Sequence, residues 1–133
     1  MKNKEAVRIL SKVAIIHNAP PFRADQETCI RVFASVKSGI MHYAGGLYPR
    51  PVKFLFQNQA GQGSEVHAHV IGIVHAKALL KAAQCDMSVY TDSEKAIEFI
   101  DSQKQLPETC GVSKRANKFL NENAVRVSLW RKR

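Results

Sequence analysis

Residues 87–100 read MSVYTDSEKAIEFI, and this stretch decides the class of fold. Met87–Tyr90 is a short, mostly apolar run of the kind that forms a buried strand. The next four residues, Thr91–Glu94, have the spacing of a capping box, which marks the start of a helix. Apolar residues then continue at helical spacing from Ala96 to Ile100. A strand that leads directly into a helix is the repeating unit of α/β folds.

The same alternation of strands and helices extends along the rest of the chain. A helix is predicted through Cys29–Tyr43, although the apolar residues from Ile30 to Val36 also alternate, so a strand there stays open. The full predicted order is strand 13–16, helix 29–43, strand 52–56, helix 65–84 capped by Ser64, strand 87–90, helix 94–100, helix 113–120 capped by Ser113, and strand 125–129. This order predicts a single α/β domain over residues 1–133, with a parallel sheet of about four to five strands and helices on both faces.

Composition and charge narrow the class of protein. The 133 residues are 45% hydrophobic, and no apolar run approaches the roughly 20 residues of a membrane helix. Three widely spaced cysteines without a CxxC pair, and an N-terminus without a signal-peptide pattern, predict a cytoplasmic protein without a disulfide framework. Most of the net charge of +9 follows Gly111. There the sequence predicts a basic patch that contacts nucleic acid or another acidic partner, or else serves as a solubilising terminus. The patch comprises Lys114, Arg115, Arg131, Lys132 and Arg133.

In an open parallel sheet, ligands bind at the carboxyl ends of the strands. The polar residues predicted to form a binding crevice at that edge are Asn18, Gln59, Gly61, Thr91, Asp92 and Ser93. The backbone amides of Gln57–Ser64 could hold an anion before the next helix, but this segment lacks the lysine of a phosphate-binding loop. A plain connecting loop is therefore favoured. Asp92 has no partner carboxylate at a fixed spacing and is expected to stabilise the N-terminus of the next helix.

Cysteine and histidine supply the remaining candidate side chains. Cys110 lies in a predicted loop just before the basic patch, whose cations would lower the pKa of its thiol and make it nucleophilic; an inert thiol is the alternative. On a helix, His67 and His69 point apart and His75 lies two turns away, so they cannot share one ion. They are expected to be surface or interface histidines. The sequence predicts no metal site and no cofactor.

The chain carries, in order, Lys12–Pro21, Ile30–Ala34, Val52–Gly61, Ala78–Tyr90 and Gly111–Val127. Together these stretches resemble the DsrE-like family of small sulfur-relay proteins. The resemblance implies a flavodoxin-like three-layer α/β/α sandwich, a homo-oligomer (trimer or hexamer), and a cysteine that carries a persulfide directly after the strand Met87–Tyr90. This chain has Thr91–Ser93 there, without a thiol. The expectation is a sulfur carrier that uses Cys110 with a protein sulfur-transfer partner, or a non-catalytic binding relative, and not a classical enzyme.

A second resemblance is carried by Val89–Ile97, which reads VYTDSEKAI. It is similar to the strand–aspartate–helix of ribonuclease H-like domains. That resemblance implies three antiparallel strands at residues 30–36, 40–48 and 52–59.

The chemistry of such domains needs several carboxylates around two metal ions. By the same resemblance, the first carboxylate would fall near Ala34 and the second near His67 or His69. Asp92 is then the remaining carboxylate, with Glu65 as a distant substitute. The alternative expectation is therefore an inactive nucleic-acid-binding module assisted by the basic tail.

Overall fold

The computed structural model describes residues 29–48, 55–110 and 112–130, which form a five-stranded mixed sheet packed against helices. The strands are β1 (Cys29–Lys37), β2 (Ile40–Tyr48), β3 (Phe56–Gln62), β4 (Ser88–Thr91) and β5 (Ser128–Leu129), and the helices are α1 (Glu65–Ala82), α2 (Glu94–Asp101) and α3 (Ser113–Glu122). The strand order is β3-β2-β1-β4-β5. β2 is antiparallel to β1 and β3, whereas β4 is parallel to β1 and β5. The predicted α/β class is confirmed.

The helix predicted through Cys29–Tyr43 is wrong, because this stretch forms the β1–β2 hairpin. Ser38 and Gly39 have φ values of 53° and 77°, which is the left-handed conformation that two-residue hairpin turns require. Within β1, Ile30 and Val32 are fully buried and Arg31 between them is less so, as expected for a strand with one face on the core. The apolar spacing in this stretch is compatible with both the helical and the strand period, and the two-residue turn decides in favour of strands.

β3 lies where the sequence predicts a loop. The predicted strand over 52–56 shares only Phe56 with β3, and residues 52–54 lie outside the described ranges. β3 continues through Gln57, Asn58 and Gln59, which are exposed. An edge strand pairs on one side only, so its backbone is held by β2 while polar side chains remain in solvent.

The parallel part of the sheet consists of β1, β4 and β5. Because β2 and β3 are antiparallel, the sheet is mixed and not the parallel, flavodoxin-like sheet that the DsrE-like resemblance implies. The predicted strand over 125–129 is confirmed in part, since Ser128–Leu129 form β5. The predicted strand Val13–Ile16 lies outside the described residues.

Two of the three helices begin after a residue whose side chain caps the first turn. Ser64 caps α1 as predicted, with its Oγ accepting a backbone N–H of the first turn. The cap of α2 is Ser93 and not Thr91, because Thr91 is still part of β4. Ser113 is the first residue of α3 and not its cap; Val112 precedes it without a capping hydrogen bond. No helix in the described ranges combines the length and apolar character needed to cross a membrane.

Helix α1 packs across β1, β2 and β4, and α2 and α3 pack beside it. The helix and sheet approach closely at Gly72, where a Cβ atom would lie 2.5 Å from Val32 Cγ1. A residue without a side chain permits this approach. The packing places the first turns of α1 beside the carboxyl end of β4, where His69 contacts Thr91.

Candidate strand-end site

The carboxyl end of β4 presents Thr91 and Asp92 beside the first turns of α1. Thr91 is fully buried; its Oγ1 accepts a hydrogen bond from Ser93 N at 3.2 Å and lies 3.1 Å from His69 Nδ1. Because His69 Nε2 faces carboxylate oxygens, which only accept, the tautomer protonated at Nε2 is favoured, and Thr91 Oγ1 then donates to Nδ1. The Asp92 side chain, in contrast, is 53% exposed.

His69 faces two carboxylates through Nε2. The distances are 3.7 Å to Asp92 Oδ1 and 3.8 Å to Glu65 Oε1. Burial lowers the pKa of His69, and the charges of Asp92 and Glu65 oppose that shift without overcoming it. The imidazole is therefore neutral near pH 7. In that state it orients the strand end through hydrogen-bonding groups and does not balance the charge of Asp92.

The charge of Asp92 is balanced by Arg31. The β1–β4 register sets Arg31 opposite Tyr90, and Arg31 Nη2 lies 3.5 Å from Asp92 Oδ2. The guanidinium carbon lies 4.6 Å from the centre of the Phe33 ring and 4.8 Å from that of Trp130, within the range of cation–π attraction. These rings hold the cation in place. One oxygen of Asp92 thus faces a guanidinium and the other faces an imidazole.

The predicted binding crevice is only partly assembled. Thr91–Ser93 lie together at the end of β4. Gln59 and Gly61 lie in β3, which β2 and β1 separate from β4, because the predicted loop is a strand. The backbone of that segment pairs with β2, so it does not form an anion-binding loop. Asn18 lies outside the described residues.

Cys110 is not in the environment that the sequence predicts. Its side chain is buried, and its Sγ lies 3.8 Å from Met41 Sδ in the core. Burial raises the pKa of the Cys110 thiol, which is opposite to the predicted direction. The cations expected to activate it, Lys114 and Arg115, are exposed on α3. Sulfur transfer through Cys110 stays an untested prediction.

Two of the three histidines, His69 and His75, differ from the surface or interface histidines that the sequence predicts. His69 is buried, and its position four residues before the buried Ile73 was the signal for this. His75 is half-buried, stacks on Phe56 at a ring separation of 4.1 Å, and shares a 3.1 Å hydrogen bond with Tyr43 Oη. Within the described ranges, no group of three or more His, Cys, Asp or Glu side chains is placed to hold a metal ion.

Two functional partners of Asp92 are missed by sequence reasoning. Arg31 comes from β1, which the sequence assigns to a helix, so its alignment with β4 is not foreseen. His69 is considered as a metal ligand, as a surface or interface residue and as a residue near the second carboxylate position, so its contacts with Thr91 and Asp92 are not foreseen. Of the predicted basic patch, Lys114 and Arg115 are exposed on α3, while residues 131–133 lie outside the described ranges.

Comparisons with known proteins support the second of the two resemblances. The N-terminal RNase H domain of a Mycobacterium tuberculosis protein, solved as a fusion with maltose-binding protein, superposes with a TM-score of 0.52 and 12% identity, over 80% of this chain and 87% of that one. The fold is RNase H-like. RNase H1 from Halobacterium salinarum has a TM-score of 0.44 and 10% identity, over 77% of this chain and 83% of that one. No family model and no curated protein matches the chain.

This likeness concerns the fold alone. The antiparallel strands implied at 30–36 and 40–48 are present as β1 and β2, and the third is present as β3 at 56–62. Nothing in the comparisons supports the DsrE-like family.

The side chains at the strand end do not suit a two-metal centre. Such a centre needs several carboxylates around two divalent cations. In this chain the first carboxylate that the resemblance implies would fall near Ala34 in β1, and the second near His67 or His69 in α1, and none of these residues is a carboxylate. Arg31 already balances Asp92, and Glu65 is the other carboxylate close to His69. A guanidinium 3.5 Å from the carboxylate would repel a divalent cation at the same oxygen atoms.

Proposed function

We propose that this chain is a nucleic-acid-binding module with an RNase H-like fold that does not hydrolyse its ligand. The observation that carries the proposal is the pairing of Asp92 with Arg31 at 3.5 Å and with His69 at 3.7 Å. Catalysis at such a strand end depends on carboxylates that concentrate divalent cations. Here a cation of the protein itself and a neutral imidazole occupy that environment.

Nucleic acid as the ligand is supported by charge and by fold. The chain has 20 Lys and Arg against 11 Asp and Glu, a net charge of +9. Phosphate contacts supply most of non-specific nucleic-acid affinity, and a basic protein gains them without base recognition. The fold likeness is to domains named for RNase H. Three free cysteines suit a reducing compartment, and we place this binding in the cytoplasm.

Salt dependence tests the binding. An RNA–DNA hybrid duplex is titrated with the protein between about 50 and 200 mM salt, a range in which 6–10 phosphate contacts would cost roughly 10³–10⁵-fold in affinity. Replacing Arg131, Lys132 and Arg133 together by Ser should weaken binding and reduce the slope of log K against log salt by up to about 3.

Two single variants test whether the salt dependence of binding comes from the basic patch. Lys114→Ala removes an exposed cation of the basic patch and should reduce the slope by up to about 1. Lys104→Ala removes an exposed cation from the loop after α2, outside the patch, and should leave the slope unchanged. Absence of binding at the lowest salt, or affinity that is independent of salt, would overturn the proposal.

A further inference from the structure

A cleft of about 520 Å³ lies between α1 and α3, above the Tyr43 side chain of β2. Its size falls in the usual range for small-molecule sites, roughly 300–1,000 Å³. The walls include Ile71 and Val74 from α1 and Phe119 from α3, so most of the surface is apolar or aromatic. A flat apolar group could therefore be buried between the two helices.

The cleft also contains a polar pair. Tyr43 Oη and His75 Nδ1 are 3.1 Å apart, and the His75 ring stacks on Phe56. Burial raises the pKa of Tyr43 and lowers that of His75, so both groups are neutral near pH 7. The pair thus offers neutral hydrogen-bonding groups, which suit a heteroaromatic ring better than a second charge.

Cations predominate at the rim. Lys81 approaches from α1, and Arg115 and Lys118 from α3. Among the described residues that line the cleft, Glu122 is the one acidic side chain, and it lies 3.8 Å from Lys118 and offsets that cation. Lys81 Nζ donates to Asn123 Oδ1 at 2.9 Å and is thereby positioned at the edge of the cleft. The rim keeps a net positive charge and would attract an anionic group.

Val112, at the edge of the same cleft, has an unusual backbone conformation. Its φ of 52° is left-handed, a conformation that is strained for a β-branched residue. Its side chain is 49% exposed and lines the cleft. Strain of this kind is concentrated at binding sites, where the surrounding structure holds it for function. An exposed valine in this position supplies an apolar contact for a ligand.

We propose that this cleft binds a nucleotide, with its base among Phe119, Val74 and Val112 and its phosphate at Arg115 and Lys81. The nucleotide could be free or part of a bound strand. In the second case the inference rests on the proposed function and extends it to a second contact surface, on the helical side of the sheet.

The test uses NMR amide shifts and two probes, AMP and a short single-stranded RNA. AMP should shift residues 71–79 and 112–119, and adenosine should bind about tenfold more weakly because it lacks the charge-assisted phosphate contacts. Arg115→Ala should weaken AMP binding at least about tenfold, because it removes a charge-assisted hydrogen bond to the phosphate. Arg126→Ala, an exposed arginine outside the cleft, is the matched control and should change nothing.

Each outcome decides between the two proposals. Shifts at the cleft with both probes support both. AMP binding, with no binding of either the single-stranded RNA or the hybrid duplex, supports the cleft and ends the proposed function. RNA binding that shifts only other residues, with no AMP response, keeps the proposed function and overturns the cleft. Equal affinity for AMP and inorganic phosphate would also overturn it, because the base would then contribute nothing.

Discussion

Replacement of Gly72 by Ala tests the packing that brings α1 onto the sheet. A Cβ at this position would lie 2.5 Å from Val32 Cγ1, and Val32 is fully buried and cannot move aside. Overpacking of this kind costs roughly 1–3 kcal/mol, whereas alanine in place of glycine stabilises a helix by about 1 kcal/mol. The net expectation for Gly72→Ala is a loss of about 0–2 kcal/mol in the free energy of unfolding.

The same change should have the opposite sign when Val32 is first replaced by Ala. The clashing Cγ1 atom is then absent, and Gly72→Ala should gain about 1 kcal/mol from helix propensity alone. The double-mutant cycle, measured by urea unfolding of the four proteins, should give a coupling energy of about 1–3 kcal/mol. Ala78→Gly, a half-buried position of α1, is the control and should lose about 1 kcal/mol in both backgrounds. Equal effects of Gly72→Ala in both backgrounds would refute the reasoning, because Val32 would not lie beneath α1.

Three further predictions concern individual side chains. Burial lowers the pKa of His69 below its unfolded value, so the free energy of unfolding is highest above about pH 6.5 and falls as the pH drops. His69→Gln should reduce this fall, measured by urea unfolding between pH 7 and 5. A fall of unchanged size would contradict the prediction. Asn117 bonds both the N–H and the C=O of Leu106, at 2.7 and 2.9 Å, so Asn117→Ala should cost about 1–3 kcal/mol in thermal unfolding. Asn121→Ala, which removes two exposed hydrogen bonds to the Gln105 side chain, should cost less than about 1 kcal/mol. Cys110 should resist thiol reagents and take up no persulfide label, because it is buried and its pKa is raised; a label that disappears in Cys110→Ser would revive sulfur transfer.

Elements with strong local signals were predictable from the sequence. The helix predicted over 65–84 is α1 at Glu65–Ala82, and Ser64 caps it as its position before the apolar run indicates. The strand predicted over 87–90 is β4 at Ser88–Thr91. For α1 the periodicity and the adjacent cap agree, and for β4 the short apolar run alone indicates a strand, so no long-range contact is needed to decide either element.

The β1–β2 hairpin was not predictable in the same way. Its apolar residues satisfy helical and strand periods alike, and the deciding feature is the Ser38–Gly39 turn. The candidate site could not be predicted without this hairpin, because Arg31 lies in β1. Asp92 can be located from the sequence, but Arg31 reaches it through the parallel register of β1 and β4, and His69 reaches Thr91 across 22 residues. Such contacts are set by the tertiary fold and not by local pattern.

Cleavage of a hybrid duplex tests the central claim most directly. A hybrid labelled on its RNA strand is incubated with saturating protein and either Mg²⁺ or Mn²⁺, with binding followed by mobility shift and products by denaturing gel. We expect a shifted, intact duplex, with no products from either the natural protein or Asp92→Asn, because Arg31 and His69 occupy the surroundings of Asp92. RNA products that require the metal ion and disappear in Asp92→Asn would contradict the account.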